Sequence, residues 1–154
     1  MNEESKEIVQ AKTIAFRLLK IRSRSENEIR ERLKQKHISS ATIDHTVVVL
    51  KNTRLIDDQQ FTKDWIQARL NRPFGLRRIH VELIKKGINK EIIKEEFAQI
   101  KTYYQESEIV ETLAKRRAAR YANIDRQKRK KRVFDYLARR GFSLDAIQKA
   151  IQTL

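Results

Sequence analysis

IRERLKQKHISSATIDHTVVVL from Ile29, IHVELIKKGINKEIIKEEFAQI from Ile79 and VFDYLARRGFSLDAIQKAIQTL from Val133 are three copies of one pattern, in register without a gap. Each opens on an aliphatic residue and places Leu four positions later, at Leu33, Leu83 and Leu137. Four further on stand His37, Gly87 and Gly141, each followed at once by an apolar residue, Ile38, Ile88 or Phe142. The second half then reads Ile43, Val47, Leu50; Ile93, Phe97, Ile100; and Ile147, Ile151, Leu154. Apolar residues at i, i+4 and i+7 line one face of an α-helix. A glycine just past a helix takes the left-handed conformation of a C-terminal cap, and the apolar residue after it packs back onto the last turn. Histidine tolerates that conformation better than branched residues do, at some strain. Each copy therefore reads as helix, tight turn, helix, with Ser40, Asn89 and Ser143 as N-cap candidates for the second helix.

A third helix precedes each pair. In copy one it runs from about Lys6 to Lys20 with Ile8, Ala11, Ala15, Leu18 and Leu19 as its stripe, and Ser25-x-x-Glu28 forms a capping box for the next helix. In copy two Asp57-Asp58-Gln59-Gln60 starts a helix through Phe61, Trp65, Ile66 and Arg69, which Arg72-Pro73-Phe74-Gly75 ends. In copy three it spans about Glu108 to Tyr121, either continuous with the preceding helix or separate from it, and Asn123-Ile124-Asp125 breaks it from the next. The fold class is all-α: three tandem three-helix repeats over residues 1–52, 53–104 and 105–154, forming an elongated, curved array. A unit of that size buries a small core, so neighbouring units are expected to lean on one another.

Composition agrees. The chain has three Gly and one Pro in 154 residues, too few for the turns of a sandwich or barrel. Cysteine is absent, which excludes disulfides, thiol nucleophiles and thiolate metal sites. No apolar run has signal-peptide or membrane-spanning length, so a soluble cytoplasmic protein is expected. The formal net charge is +15, from 35 Lys and Arg against 20 Asp and Glu. An excess of this size costs self-repulsion, and polyanion binding is its commonest reason.

The charge is uneven. Lys115, Arg116, Arg117, Arg120, Arg126, Lys128, Arg129, Lys130, Lys131, Arg132, Arg139 and Arg140 fall between Leu113 and Arg140, against Asp125 and Asp135 alone. Five consecutive cations from Lys128 to Arg132 exceed what two flanking aspartates can neutralise, which favours a contact surface for phosphates or an acidic groove. A second basic group, Arg69, Arg72, Arg77 and Arg78, surrounds the Pro-Phe-Gly turn. Phe61 and Trp65 are expected in the core, since aromatics at helical spacing are more often packed than stacked on bases.

Catalytic groups are scarce. His37, His45 and His80 lie in different helices or at a turn, so no metal site is expected from them. Asp57-Asp58 reads as capping rather than as an acid–base pair. No phosphate-binding glycine loop and no nucleophile elbow occur, and the chain is expected to be neither an enzyme nor a cofactor binder.

The run LIDDQQFTKDWIQAR from Leu55 to Arg69, followed by G-x-x-R-I-x-x-E-L-x-x-K-G-I from Gly75 to Ile88, resembles the central repeat of RecX proteins. AFRLLKIRSRSENEIRERL from Ala15 to Leu33 is similar to the stretch before it in that family, and His37 departs from the usual glycine. The resemblance implies a regulator without chemistry of its own, and a monomer is expected. It would bind RecA nucleoprotein filaments, lie along their groove, and limit ATP hydrolysis, strand exchange and filament extension. It would also bind single- and double-stranded DNA more weakly, through charge. The other reading is a stand-alone helix-turn-helix DNA-binding repressor, against which no copy offers a recognition helix bearing Arg, Asn or Gln towards base edges.

Overall fold

The computed structural model describes residues 2–154; residue 1, the first of the 1–52 repeat, lies outside them. Among the described residues there are nine α-helices and no strand. They are α1 Glu3–Ile21, α2 Glu26–Gln35, α3 Ser40–Asn52, α4 Asp58–Leu70, α5 Leu76–Lys85, α6 Lys90–Ile100, α7 Glu106–Ala119, α8 Arg126–Arg139 and α9 Leu144–Gln152. In chain order they form tandem three-helix repeats, α1–α3, α4–α6 and α7–α9.

The pattern positions behave alike. Ile29, Ile79 and Val133, like Leu33, Leu83 and Leu137, have no exposed surface. The turn after each second helix closes with the same two bonds. The amides of Ile38, Ile88 and Phe142 donate to the carbonyls of Leu33, Leu83 and Leu137, while those of His37, Gly87 and Gly141 donate to Lys34, Ile84 and Ala138. This is a Schellman cap, and His37, Gly87 and Gly141 have φ of 59°, 72° and 83°. In the second half Leu50 and Ile100 are buried, whereas Phe97, Ile151 and Leu154 are half-buried.

Several boundaries differ from the sequence reading. Ser39, not Ser40, caps α3, because Ser39 holds the extended conformation that lets its hydroxyl accept from the Thr42 amide. Asn2 caps α1, which therefore begins a turn before Lys6. α7 starts at Glu106 and is separate from α6, and the Glu106 carboxylate accepts from the amide and hydroxyl of Ser143. Glu7 serves Ser39 in the same way. The matching acid of the middle repeat is Asp58, since Glu7, Asp58 and Glu106 each lie four and eight residues before buried positions. There Asn89 caps its own helix through the Glu91 amide. Asp58 instead accepts from the Glu26 amide at 2.8 Å and so caps the first repeat's α2, while Asp57 caps α4 through the Gln60 amide. Burial leads the causes that raise the Asp58 carboxyl above its ordinary pKa, and the nearby Glu26 carboxylate adds to it.

The chain divides into two compact units, one of residues up to Asp64 with Leu83–Ile93, the other of Trp65–Glu82 with Lys94–Leu154. The first unit is built on Ala11, Ala15, Ile29, Leu33, Ile38, Ile43, Val47, Leu50 and Ile56. In the second, Val110, Leu113, Ala114 and Ala118 of α7 pack with Val133 and Leu137 of α8 and Phe142, Ala146, Ile147 and Ala150 around α9.

Each unit contains one junction between repeats, and the two junctions use equivalent residues. In the first, the Ser25 hydroxyl at the start of α2 donates to the carbonyl of Lys86 at the end of α5, at 2.7 Å. In the second, the Gly75 amide at the start of α5 donates to the carbonyl of Arg140 at the end of α8, at 2.8 Å. Ser25 and Gly75, like Lys86 and Arg140, are register mates in the repeat. The approach is close: a Cβ on Gly87 would lie 2.4 Å from Cβ of Asn27, and one on Gly141 would lie 2.5 Å from the backbone nitrogen of Arg78. His37, at the same place in the first repeat, is exposed and carries a side chain.

Gly141→Ala therefore combines left-handed strain of roughly 1–2 kcal/mol with overpacking of about 1–3 kcal/mol. It is expected to cost more than either alone in denaturant unfolding, whereas His37→Gly is expected to be neutral or stabilising.

The first junction also has a charged centre. Glu28 accepts from Arg22 at 2.7 and 3.1 Å, from Lys86 at 2.9 Å and from the Ser25 amide at 3.1 Å. Burial pushes its carboxyl up, but those donors together outweigh it and hold the pKa at about 2. A carboxylate depressed in the fold stabilises it fully above its unfolded pKa of about 4.3, and that contribution disappears as pH falls towards 2. Glu28→Gln is expected to lower stability by about 1–3 kcal/mol at neutral pH. The gap to the parent should close across that acid window.

Candidate nucleic-acid interface

The turn Arg72-Pro73-Phe74-Gly75 brings together residues far apart in the chain. Its Gly75 and Arg77 amides donate to the Arg140 and Gly141 carbonyls, which sets the end of α8 against the start of α5. The Arg140 guanidinium then reaches back and donates to the carbonyls of Arg72 at 3.2 Å and Pro73 at 3.3 Å. Its face lies over Phe74 at 5.1 Å and over Tyr136 at 4.9 Å.

From Arg140 the alternation of guanidinium and ring continues in both directions. On one side Phe74 also carries Arg78 at 4.1 Å and Arg69 at 5.8 Å, and Arg69 lies over Trp65 at 4.4 Å. On the other, Tyr136 carries Arg117 at 4.5 Å, and Tyr121 carries both Arg117 at 5.4 Å and Arg132 at 5.2 Å. Both ends belong to one compact unit. A cation over an aromatic face is attracted by the ring quadrupole, and the planar guanidinium stacks as well.

Charge compensation differs along this ladder. Glu82 accepts from Arg69 at 2.6 Å, Arg78 at 3.0 Å and the Trp65 indole at 3.0 Å. Burial raises its carboxyl, but these three donors win and leave the pKa below the ordinary value. Arg69 and Arg78 thus share one carboxylate. Among the described residues no carboxylate pairs with Arg117, Arg132 or Arg140.

The Lys128–Arg132 run lies in the first turns of α8. Lys131 pairs with Asp135 at 3.2 Å, and Asp125 spends its carboxylate on the amides of Gln127 and Lys128. Arg126, Lys128 and Arg132 are exposed, as are Arg116 on α7 and its C-cap Arg120, while Arg129 and Lys130 are half-buried. Cations at a helix N-terminus oppose its dipole, at roughly 0.3–1 kcal/mol each. Register explains their place. α2 and α5 begin at the register mates Glu26 and Leu76, whereas α8 begins four residues before the equivalent position and adds the turn Arg126–Arg129. Arg129 therefore takes the position that Ser25 and Gly75 use for junctions.

Of the sequence-predicted residues, the structure joins Arg69, Arg78, Arg117 and Arg132 into one ladder. Arg72 contributes its carbonyl, and Arg77 contributes its amide while its side chain is exposed. Trp65 is half-buried rather than core, since its indole N–H is committed to Glu82, whereas Phe61 is buried as expected. The connecting residues Phe74, Tyr121, Tyr136 and Arg140 were not singled out as site residues. The spacing Arg117-x-x-x-Tyr121, Arg132-x-x-x-Tyr136-x-x-x-Arg140 was the available signal, because i,i+4 neighbours share a helix face. Among the described residues no cluster of three metal-ligating side chains occurs, and no helix is long and apolar enough to cross a membrane.

Arg140→Lys keeps the charge but loses the planar stack and the fork to two carbonyls. It is expected to cost about 1–2 kcal/mol in thermal or denaturant unfolding.

Comparison with known proteins matches the repeats one by one. Family models described as the first, second and third three-helix domains of RecX match residues 11–48, 57–95 and 104–151. The regulatory protein RecX of Caldanaerobacter subterraneus subsp. tengcongensis is 30% identical over 145 residues, covering 94% of this chain and 71% of that protein. The regulatory protein RecX of Chlorobium phaeobacteroides is 32% identical over 142 residues, covering 92% and 91%. The crystal structure of RecX from Lactobacillus salivarius shares the fold, with a TM-score of 0.81 at 24% identity over 97% of each chain.

Proposed function

Because this chain belongs to the RecX family of regulatory proteins, we propose that it modulates, chiefly by inhibition, a RecA recombinase during DNA repair and recombination by binding RecA–DNA filaments. The observation that supports this reading is the concentration of uncompensated cations along α7 and the first turns of α8, a chemistry suited to phosphate. Arg116, Arg117, Arg120, Arg126, Lys128, Arg129, Lys130 and Arg132 have no ion-pair partner among the described residues. A filament carrying DNA presents a high density of negative charge, and clustered cations raise the rate of encounter with it. Cations that burden a helix N-terminus in the free protein are relieved when an anion arrives.

In this reading Lys131 joins the same surface, and Arg69, Arg72, Arg77 and Arg78 border it. The three modules act at residues 1–52, 53–104 and 105–154 as a monomer in the cytoplasm, without catalysis or cofactor. A helix-turn-helix repressor would place base-reading side chains on the helix after the turn. Here α3, α6 and α9 contain no arginine, which disfavours direct reading of guanine edges.

Neutralising Lys128, Arg129, Lys130, Lys131 and Arg132 together is expected to weaken inhibition of RecA-dependent ATP hydrolysis and strand exchange at matched salt. Each lost phosphate contact lowers the log–log salt slope on duplex DNA by about 0.9. Stability should change by only about 0.5 kcal/mol per exposed site. The parent should inhibit well below the concentration at which it coats bare DNA; inhibition only at coating concentrations would sink the filament reading.

A further inference from the structure

Charge alone explains why the basic surface attracts a polyanion, but not why its arginines alternate with aromatic rings. A guanidinium that serves only as a phosphate contact needs no ring beneath it, and Arg116, Arg120 and Arg126 stand in solvent without one. Tyr121 is the informative member. It lies past the end of α7, is half-buried, and belongs to neither the buried core of its unit nor the half-buried layer packed on that core. Tyr136, by contrast, does pack against it. The core layer therefore does not account for the Tyr121 ring, over which the two guanidiniums of Arg117 and Arg132 lie.

Neither arginine is held there by a carboxylate, and Arg132 is exposed. Arg132 at the end of the ladder can leave the ring and turn to a phosphate without breaking an ion pair. A flat π-system can take its place, because stacking on a tyrosine face suits a nucleobase as well as a guanidinium. Arg117 supplies a second reason. Its Nε is buried and has no hydrogen-bond acceptor among the described residues, and a base edge brings carbonyl oxygens and ring nitrogens.

We propose that Tyr121 is a stacking site for an unpaired nucleobase, with Arg132 moving from the ring to the adjoining phosphate and Arg117 beside the base edge. The site so formed selects single-stranded over duplex nucleic acid, since a base within a duplex has no free face to offer. This deepens the reading of the surface as one that meets nucleic acid and rests on it.

The test uses the whole chain and three probes of equal length: a thymidine oligonucleotide, the same backbone with abasic sites, and a duplex. Stacking on an aromatic contributes about 1–3 kcal/mol per base, which is roughly 5-fold to 150-fold in affinity. The parent is expected to prefer the thymidine strand over the abasic strand by a factor in that range. Tyr121→Leu should erase the preference while leaving abasic and duplex affinities within about twofold, and Tyr121→Phe should retain it. Equal affinity of the parent for thymidine and abasic strands overturns the proposal. So does a preference that survives Tyr121→Leu, or an equal loss on all three probes, which would make Tyr121 a support for the arginines. None of these outcomes bears on filament inhibition, which is read separately from RecA-dependent ATP hydrolysis.

Discussion

The end of one helix docking on the start of another is the contact on which the architecture turns. An α-helix leaves its first amides and last carbonyls without internal partners. Here the carbonyl ending one second helix is met by a donor starting the second helix of the preceding repeat, Lys86 by Ser25 and Arg140 by Gly75. Opposite dipole ends face each other across these junctions, which adds attraction to the hydrogen bond. The approach at each junction then leaves no room for a Cβ, against the Asn27 side chain at Gly87 and against the Arg78 backbone at Gly141. The left-handed cap residue in the junction is glycine at positions 87 and 141 for two independent reasons, conformation and space. Only the first applies at position 37, and histidine suffices there.

The same register makes sense of the third repeat. Where Ser25 and Gly75 receive the following repeat, Arg129 sits within an added turn of α8 that presents cations. Helix dipole and mutual repulsion both oppose that arrangement. Local stability therefore gives no account of the charge, which is why an external anion is proposed as its partner.

Electrostatics and packing are coupled in the ladder from Trp65 to Arg132. Rings hold the guanidiniums by their faces, and the N–H edges of Arg69, Arg78 and Arg140 are committed to Glu82 and to the Arg72 and Pro73 carbonyls. Glu82 compensates part of the charge at one end, and among the described residues no carboxylate pairs with Arg117 or Arg132 at the other. A surface graded in this way is stitched to its own fold at one end and leaves its cations without a carboxylate partner at the other. Arginine suits both ends because its planar cation stacks and forks at once, which lysine does not do.

How much of this was legible before the fold was seen depends on distance along the chain. Helix periodicity, the glycine caps at 87 and 141, the Ser25–Glu28 capping box and the basic run are properties of neighbouring residues, and sequence alone determined them. So did the three-copy architecture, since identical spacing of apolar residues imposes identical local folds. Ser40 in place of Ser39 shows the limit of even local reading, because two adjacent serines can cap and the backbone selects one. Asp58 shows the larger limit. Its equivalents cap helices in their own repeats, but Asn89 caps itself and leaves Asp58 to reach the Glu26 amide of the repeat before. The meeting of Phe74 with Arg140, and through it the joining of two basic groups into one surface, was likewise decided by tertiary structure alone. Contacts across so many residues arise from how helix ends dock, and docking depends on close approach in space, which periodicity along the chain does not encode.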